Sequence, residues 1–473
     1  MTKRQRSLCA FGAVAGLLLV SCAGGGTSNT SSVATIDLSP VPVTPGLPTS
    51  TASATTVAPT AATTATTHPA PTGWTIDTSK CPDPARAERP ITGTVKIGSV
   101  MPLSGGPSAA FGAVKDGFEL YINMASKKGL LPGYDITADI RDDQYDATQT
   151  SGVVDRSIND GVDIFSGIVG SPDNLAVREK LNHECIPQLE ALTGSPAWGQ
   201  IADFPWTTGA LVPYDIEASI YATKLKEMKP GAKVGLYSVN SELGKAYVDA
   251  FKKQADLLGL QVVDEQTIEP NVYDQPVTQV ADMAGKAPDA IIAVPLGLQC
   301  PAFLTELASA KAQNAAWVPL VFITNTCASK LFFGLAGPAA DGVYTSNNLV
   351  DSNDPKNAAH PGVKAFIDAY SAAGLDGDPG VTEAGWSVGE TTVAILNAAL
   401  KTGTLSRKSI IEAARNLTFT PSLARLSTNS QGVQYKMKGA EDPFAFQTLQ
   451  VLQWSSASQT FTEVGDPITN FES

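Results

Sequence analysis

Histidine is nearly missing from this 473-residue chain, with three in all, and cysteine is sparse at six. His68, His183 and His360 fall in a Thr-rich tract, on an early helix and in a polar turn before Pro361, so none sits where a catalytic base would be assembled. No CxxC pair accompanies them, which argues against a zinc site. Phosphate-binding GxxxxGK[ST], a GxGxxG loop after the first strand and a GxSxG nucleophile turn are all lacking, and the carboxylates show no paired spacing. No covalent chemistry, cofactor or metal is therefore expected. Positive charge is also short: 33 Lys and Arg face 46 Asp and Glu, a formal net charge of −13. That excludes the basic footprint of a nucleic-acid binder and disfavours direct adhesion to anionic lipid.

What is present begins with Lys3, Arg4 and Arg6 ahead of an apolar run from Leu8 to Val20, too short for an ordinary membrane span and suited to a secretion signal over residues 1–21. Its end, Ser21-Cys22, resembles the lipobox of bacterial lipoproteins, which implies acylation of Cys22 and a membrane-tethered, extracytoplasmic protein. Losing residues 1–21 takes the net charge from −13 to −16. From Ala23 to about Pro71 the chain is Ser, Thr, Ala, Pro and Gly with almost no charge. Such a tract cannot bury enough surface to offset its ordering entropy, so residues 22–80 read as a lipid-anchored spacer.

The rest alternates strand and helix patterns and is long enough for two lobes. Thr94 to Val100 reads as a buried first strand, followed by a helix over about Ala109 to Ala125, a strand over Asp135 to Ile140 and another over Val162 to Phe165. After Pro213 the cycle restarts: helix Asp215 to Met228, strand Lys233 to Tyr237, a helix through Leu258, then strands at Gln261 to Val263, Ala290 to Val294 and Val321 to Ile323. The fold class is α/β, two Rossmann-like lobes with parallel-type sheets flanked by helices. Once Cys9 and Cys22 are assigned to the signal and anchor, four cysteines permit three complete pairings. Cys81 with Cys185 and Cys300 with Cys327 is the expected set, each pair stapling one lobe in an oxidising location.

Three polar turns follow strands of the first lobe: Pro102 to Ser108 with Ser104 and Gly105, Gly170-Ser171-Pro172, and Leu192-Thr193-Gly194-Ser195-Pro196. Loops at the carboxyl ends of parallel strands converge on a crevice, where hydroxyls and free helix amides can receive a carboxylate.

The order of these units, with Val95-Lys96-Ile97-Gly98, Pro102-Leu103-Ser104-Gly105, Gly235-Leu236-Tyr237, Pro288 to Ile292 and Ala340-Asp341-Gly342-Val343-Tyr344, resembles the type I periplasmic binding proteins, in particular the branched-chain amino acid type. The resemblance runs from about Thr94 to Thr462. It implies a three-crossing hinge, with lobe 1 at 90–211 and 346–420 and lobe 2 at 212–345 and 421–473. It also implies a monomeric receptor that closes on a small solute, an amino acid, amide or organic acid, and passes it to an ABC permease and ATPase. A ligand-sensing surface receptor is the second reading, and a secreted hydrolase the third. By resemblance the carboxylate falls near Ser171 and the Leu192 to Ser195 turn, with Ser104 close by, and Tyr237, Gln299, Asn325 and Tyr344 lie near the mouth. Where amino acid binders often carry an acid after the strand at Val321 to Ile323, this chain has Thr324-Asn325. An amide cannot supply an ammonium's counter-charge. Either another acid such as Glu190 or Glu242 does so, or the ligand is not a standard amino acid. Trp198 and Trp206 can cap an apolar ligand or serve packing.

Overall fold

A computed structural model describes residues 73–105, 108–425, 433–469 and 471. The expected acylation site Cys22 and the tract through residue 72 lie outside the described residues. Residues 73–80, assigned above to the spacer, are instead docked on the folded body. Trp74 exchanges hydrogen bonds with the Asn416 side chain, N–H to Oδ1 at 2.8 Å and Nδ2 to the Trp74 carbonyl at 2.7 Å. The Arg415 guanidinium lies 5.2 Å over the Trp74 ring. An aromatic face with a cation above it gives this stretch a reason to fold that its flanking composition concealed.

A short helix α1 (Pro84–Glu88) leads into β1 (Thr94–Met101), α2 (Ser108–Lys127), β2 (Asp135–Asp142), α3 (Ala147–Asn159), β3 (Ile164–Ser166), α4 (Ser171–His183), β4 (Gln188–Ala191) and β5 (Thr207–Gly209). These strands form a parallel sheet in the order β2-β1-β3-β4-β5, with Ile97 of β1 opposite Ile164 of β3. The chain then crosses to a second unit of α5 (Tyr214–Met228), β6 (Lys233–Val239), α6 (Glu242–Leu258), β7 (Gln261–Ile268), α7 (Val277–Lys286), β8 (Ala290–Val294), α8 (Gln299–Gln313), β9 (Leu320–Ile323), α9 (Lys330–Ala336) and β10 (Tyr344–Asn347). It returns as α10 (Pro361–Ala372), α11 (Pro379–Lys401) and α12 (Arg407–Asn416), makes the ribbon β11 (Thr418–Phe419) with β12 (Tyr435–Lys436), and ends in β13 (Gln450–Ser455) and β14 (Thr460–Glu463). The second sheet runs β14-β13-β10-β9-β8-β6-β7, parallel except where β13 pairs antiparallel with β10 and β14.

The return helices cover the first sheet. Helix α11 lies along α2 so closely that a Cβ on Gly117 would fall 2.8 Å from Trp386 N, and one on Gly385 would fall 2.8 Å from Phe118 N. Only residues without a side chain permit that approach. The ribbon stays on this lobe, since Gly439 N–H donates to the Arg415 carbonyl and the Phe444 ring meets Gly199. The third crossing therefore falls just before β13, near residue 449, and not at Pro421 as the resemblance implied.

Both expected disulfides form, with Cα separations of 5.8 Å for Cys81–Cys185 and 5.9 Å for Cys300–Cys327. The first ties the segment before α1 to the end of α4, and the second joins α8 to the turn after β9. Among the described residues, no helix is long and apolar enough to cross a membrane, and no cluster of His, Cys, Asp or Glu could hold a metal ion.

Candidate ligand-binding cleft

In each sheet the strand order reverses beside the first strand, and the loops at the carboxyl ends there face each other. Between them lies a cavity of about 190 Å³. The first lobe contributes Phe111 and Val114 from α2, Tyr145, Gly170, Ser171 and Leu192; the crossings contribute Leu211, Tyr214 and Leu349. Leu243, Leu296, Asn325, Ser329 and Phe332 close it from the second lobe. The walls are mostly apolar, and no Lys, Arg or His is among the described lining residues. A volume below the roughly 300–1,000 Å³ of clefts for drug-sized ligands fits a small metabolite.

One wall is built to receive an anionic group. Helix α4 opens after Gly170, whose φ of 97° suits glycine and which brings no side chain to cap the first turn; Pro172 has no N–H, so the amide nearest the cavity is that of Ser171. Ser171, the first residue of α4, lines the cavity, and its Oγ lies 2.5 Å from Thr193 Oγ1, which lies 3.3 Å from the Tyr214 hydroxyl. Burial chiefly pushes the Tyr214 hydroxyl up to about 12, so it remains a donor. The start of a helix together with a hydroxyl relay, without a fixed cation, can hold a carboxylate.

Behind this wall Thr150 is surrounded by three acceptors, Asp143 Oδ2 at 2.7 Å, Asp173 Oδ1 at 3.0 Å and the Asp146 carbonyl at 3.0 Å. A hydroxyl has one proton to give. Two buried carboxyls thus meet at one hydroxyl, and burial, then the Asp143 charge, pushes Asp173 up to about 7.

The expected site residues separate into groups. Ser171, Leu192 and Asn325 line the cavity. Thr193, Gly194 and Ser195 lie behind it and fix the turn: Ser195 N–H donates to Thr193 Oγ1, Tyr214 N–H to the Gly194 carbonyl, and Trp198 Nε1 to the Thr193 carbonyl. Ser104 is outside the lining, its hydroxyl donating to Asp142 Oδ2 at 2.5 Å, and Gly105 faces an outer vestibule. Tyr237, Gln299 and Tyr344 are not at the cavity. The Tyr237 ring stacks on Phe303 at 4.4 Å, and Tyr344 stacks on Phe322 at 4.9 Å. Gln299 accepts from Leu296 N–H and donates to the carbonyls of Glu269 and Val272, clamping the loop after β8. Trp198 and Trp206 are buried packing residues.

Of the acids weighed as a counter-charge, Glu190 is buried in β4 without a partner for Oε1, and Glu242 accepts from Ser195 Oγ at 2.6 Å across the lobes. A second bond between the lobes, Leu331 N–H to Asp378 Oδ2 at 2.7 Å, holds the cleft closed elsewhere. The acid that does line the cavity is Glu383 of α11, tethered by Ser352 N–H to its Oε2 at 3.0 Å. Burial, then the Asp351 charge, pushes it well above the usual carboxylate range. A further acid lies beneath Asn325: Glu217 accepts the Asn325 N–H at 2.6 Å and the Thr324 hydroxyl at 3.2 Å, and burial pushes it up to about 7. Sequence reading missed Glu383, Tyr145 and Tyr214.

Two open sheets facing across a closed cleft, with crossings between them and a ligand-sized cavity at both switch points, define a two-lobed solute-binding protein. The chain belongs to the periplasmic binding protein family, whose description matches residues 94–459. A curated relative, the Leu/Ile/Val-binding protein of Rhizobium johnstonii, is 24% identical over 183 residues, covering 38% of this chain and 49% of the relative. The match thus spans about half the length of that relative. A branched-chain amino acid ABC transporter protein from Thermus thermophilus, solved with bound valine, superposes with a TM-score of 0.70 at 19% identity, covering 80% of this chain and 97% of that one. A fatty acid ABC transporter substrate-binding protein from Thermomonospora curvata gives 0.67 at 19% identity, covering 80% and 95%.

Proposed function

We propose that this protein is an extracytoplasmic receptor that closes around a small amphipathic carboxylic acid and delivers it to an ABC permease and ATPase. The observation that carries the reading is the composition of the closed cavity: apolar walls, the uncapped start of α4 with Ser171 on one side, and Glu383 as its one acid among the described residues. A carboxylate is received by amides and hydroxyls, and an ammonium beside Glu383 would draw that side chain back to its charged form. An α-amino acid with an apolar side chain satisfies both ends, in keeping with the valine and Leu/Ile/Val named for two of the relatives. In this reading the cleft recognises and releases its solute without covalent chemistry.

Mass spectrometry of ligand retained through native purification, followed by calorimetry against apolar amino acids and their des-amino acids, tests this directly. Retention or micromolar binding of such a compound is expected. Absence of binding to both series would sink the proposal, as would robust turnover of either.

The delivery role extends to the amino-terminal region. Acylation at Cys22 would tether the receptor, with the Ser/Thr/Pro-rich tract as a spacer that leaves the lobes free to open. Cys22→Ser should release the protein from membranes without changing ligand affinity, and a variant that stays acylated and membrane-bound would contradict the assignment.

A further inference from the structure

Two cavities of different character meet at one side chain. The inner one is the cleft of about 190 Å³; the outer one, about 700 Å³, opens between the lobes past Gly105, Gln144 and Asp146 on one side and Ser241, Asn271 and Tyr273 on the other. Tyr145 lines both and is the one residue that their described linings share. Its ring lies parallel to Phe111, with centroids 6.3 Å apart and 4° between planes. On the other flank is Gly170, where a Cβ would fall 2.6 Å from Tyr145 Cε2. The missing side chain of Gly170 is what lets the ring seat itself against the start of α4.

The backbone that aims this ring is strained. Gln144 and Tyr145 are consecutive left-handed residues with φ of 59° and 60°, a conformation that non-glycine residues rarely adopt. They are held there by Gln144 N–H to Asp142 Oδ1 at 2.9 Å and Tyr145 N–H to Asp143 Oδ1 at 3.1 Å. Strain of this kind persists where the surroundings over-determine it, and it concentrates at ligand clamps.

We propose that Tyr145 is the partition that sets the longest ligand the cleft accepts. A solute fills the inner cavity up to the ring, and chains that would extend into the vestibule are excluded. The inference rests on the solute-receptor reading and deepens it: the accepted class is amphipathic carboxylates with a short apolar body. Each further methylene that finds burial should raise affinity about fourfold. With Tyr145 in place that gain stops once the inner cavity is full, and with the ring removed it continues into the vestibule.

The test uses two straight-chain probe series, 2-aminobutanoate to 2-aminodecanoate and butanoate to decanoate, measured by calorimetry on the full chain. Tyr145→Gly removes the ring and suits the left-handed backbone; Tyr145→Leu is the second variant should the first fail to fold. Affinity for the longest over the shortest binding homologue should shift at least tenfold in favour of the longest in either variant. Tyr145→Phe keeps the ring and should keep the wild-type chain-length profile whatever its absolute affinity. A profile in the ring-deleted variant parallel to wild type within about threefold would overturn the proposal. So would a crystal structure of that variant in which the two cavities stay separate. If the wild-type protein binds neither series, the receptor reading fails by itself, and the continuity of the cavities in the variant's structure still decides the role of Tyr145.

Discussion

Replacing Asp173 with Asn is expected to stabilise the protein above neutral pH while leaving it nearly unchanged near pH 4. Asp173 is raised from an ordinary value of 3.8 to about 7, so between those limits the folded state holds a proton that the unfolded chain has released. Stability then falls as pH rises through that window and levels off above it, because the folded state binds more protons than the unfolded one. About three pKa units at roughly 1.4 kcal/mol each set a ceiling of about 4 kcal/mol. Asp143 and Asp173 both meet the Thr150 hydroxyl and titrate together, so the portion assignable to Asp173 is about 2–4 kcal/mol. The amide introduced by Asp173→Asn would keep an acceptor for the Thr150 hydroxyl, so the desolvated charge disappears without a cavity. For a body of about 400 residues, 1 kcal/mol moves Tm by only about 1 °C. The expected difference, variant minus wild type, is therefore close to zero at pH 4 and roughly 2–5 °C at pH 8, read by scanning calorimetry. A Tm difference that is the same at both pH values, or a variant less stable at pH 8, would refute the buried-carboxyl argument.

Three further outcomes follow from the cleft and its supports. Ser171→Ala removes a buried hydroxyl from the anion-receiving wall and should weaken binding of a carboxylate ligand about 5- to 150-fold, by calorimetry; a change under twofold would place the carboxylate elsewhere. Glu383→Gln should reduce affinity for an apolar amino acid at least tenfold more than affinity for its des-amino acid, and equal losses would mean that the cavity does not use Glu383 as a counter-charge. Converting Cys300 and Cys327 together to Ser opens a sequence separation of 27 residues and should cost about 4 kcal/mol in a denaturant titration. Loss below about 1 kcal/mol would show that α8 and the turn after β9 hold their places without the bridge.

The alternating strands and helices of both lobes were legible because buried parallel strands read as continuous apolar runs bounded by turns. The same property concealed which side chains face the cleft. In β6 every residue after Lys233 is buried, so period-two alternation carried no sign of the face on which Tyr237 lies, and it turned out to stack on Phe303. Polar turns announced themselves by composition, but Thr193 and Ser195 use their hydroxyls to secure the turn, and of the three only Ser171 lines the cavity. Glu383 was invisible for another reason: it enters the cleft through a helix packed on α2 across more than 250 residues of sequence, a contact that no local pattern encodes. Tyr145 stands in the run Asp142-Asp143-Gln144-Tyr145-Asp146, which reads as a solvated loop until the buried partners of its acids are seen.

Neither lobe is a continuous stretch of chain. The first sheet is complete at Gly209, yet its covering helix α11 is not finished until Lys401, and β10 of the second sheet receives its edge partner only when β13 arrives at Gln450. The first body therefore needs residues through α11, and the second needs β13, before either is complete. Contacts that distant are slow to close, since each must first overcome the entropy of a long loop. The interleaving that gives the cleft its hinge thus also makes each lobe depend on residues far along the chain, so neither lobe is a unit that folds from one continuous segment.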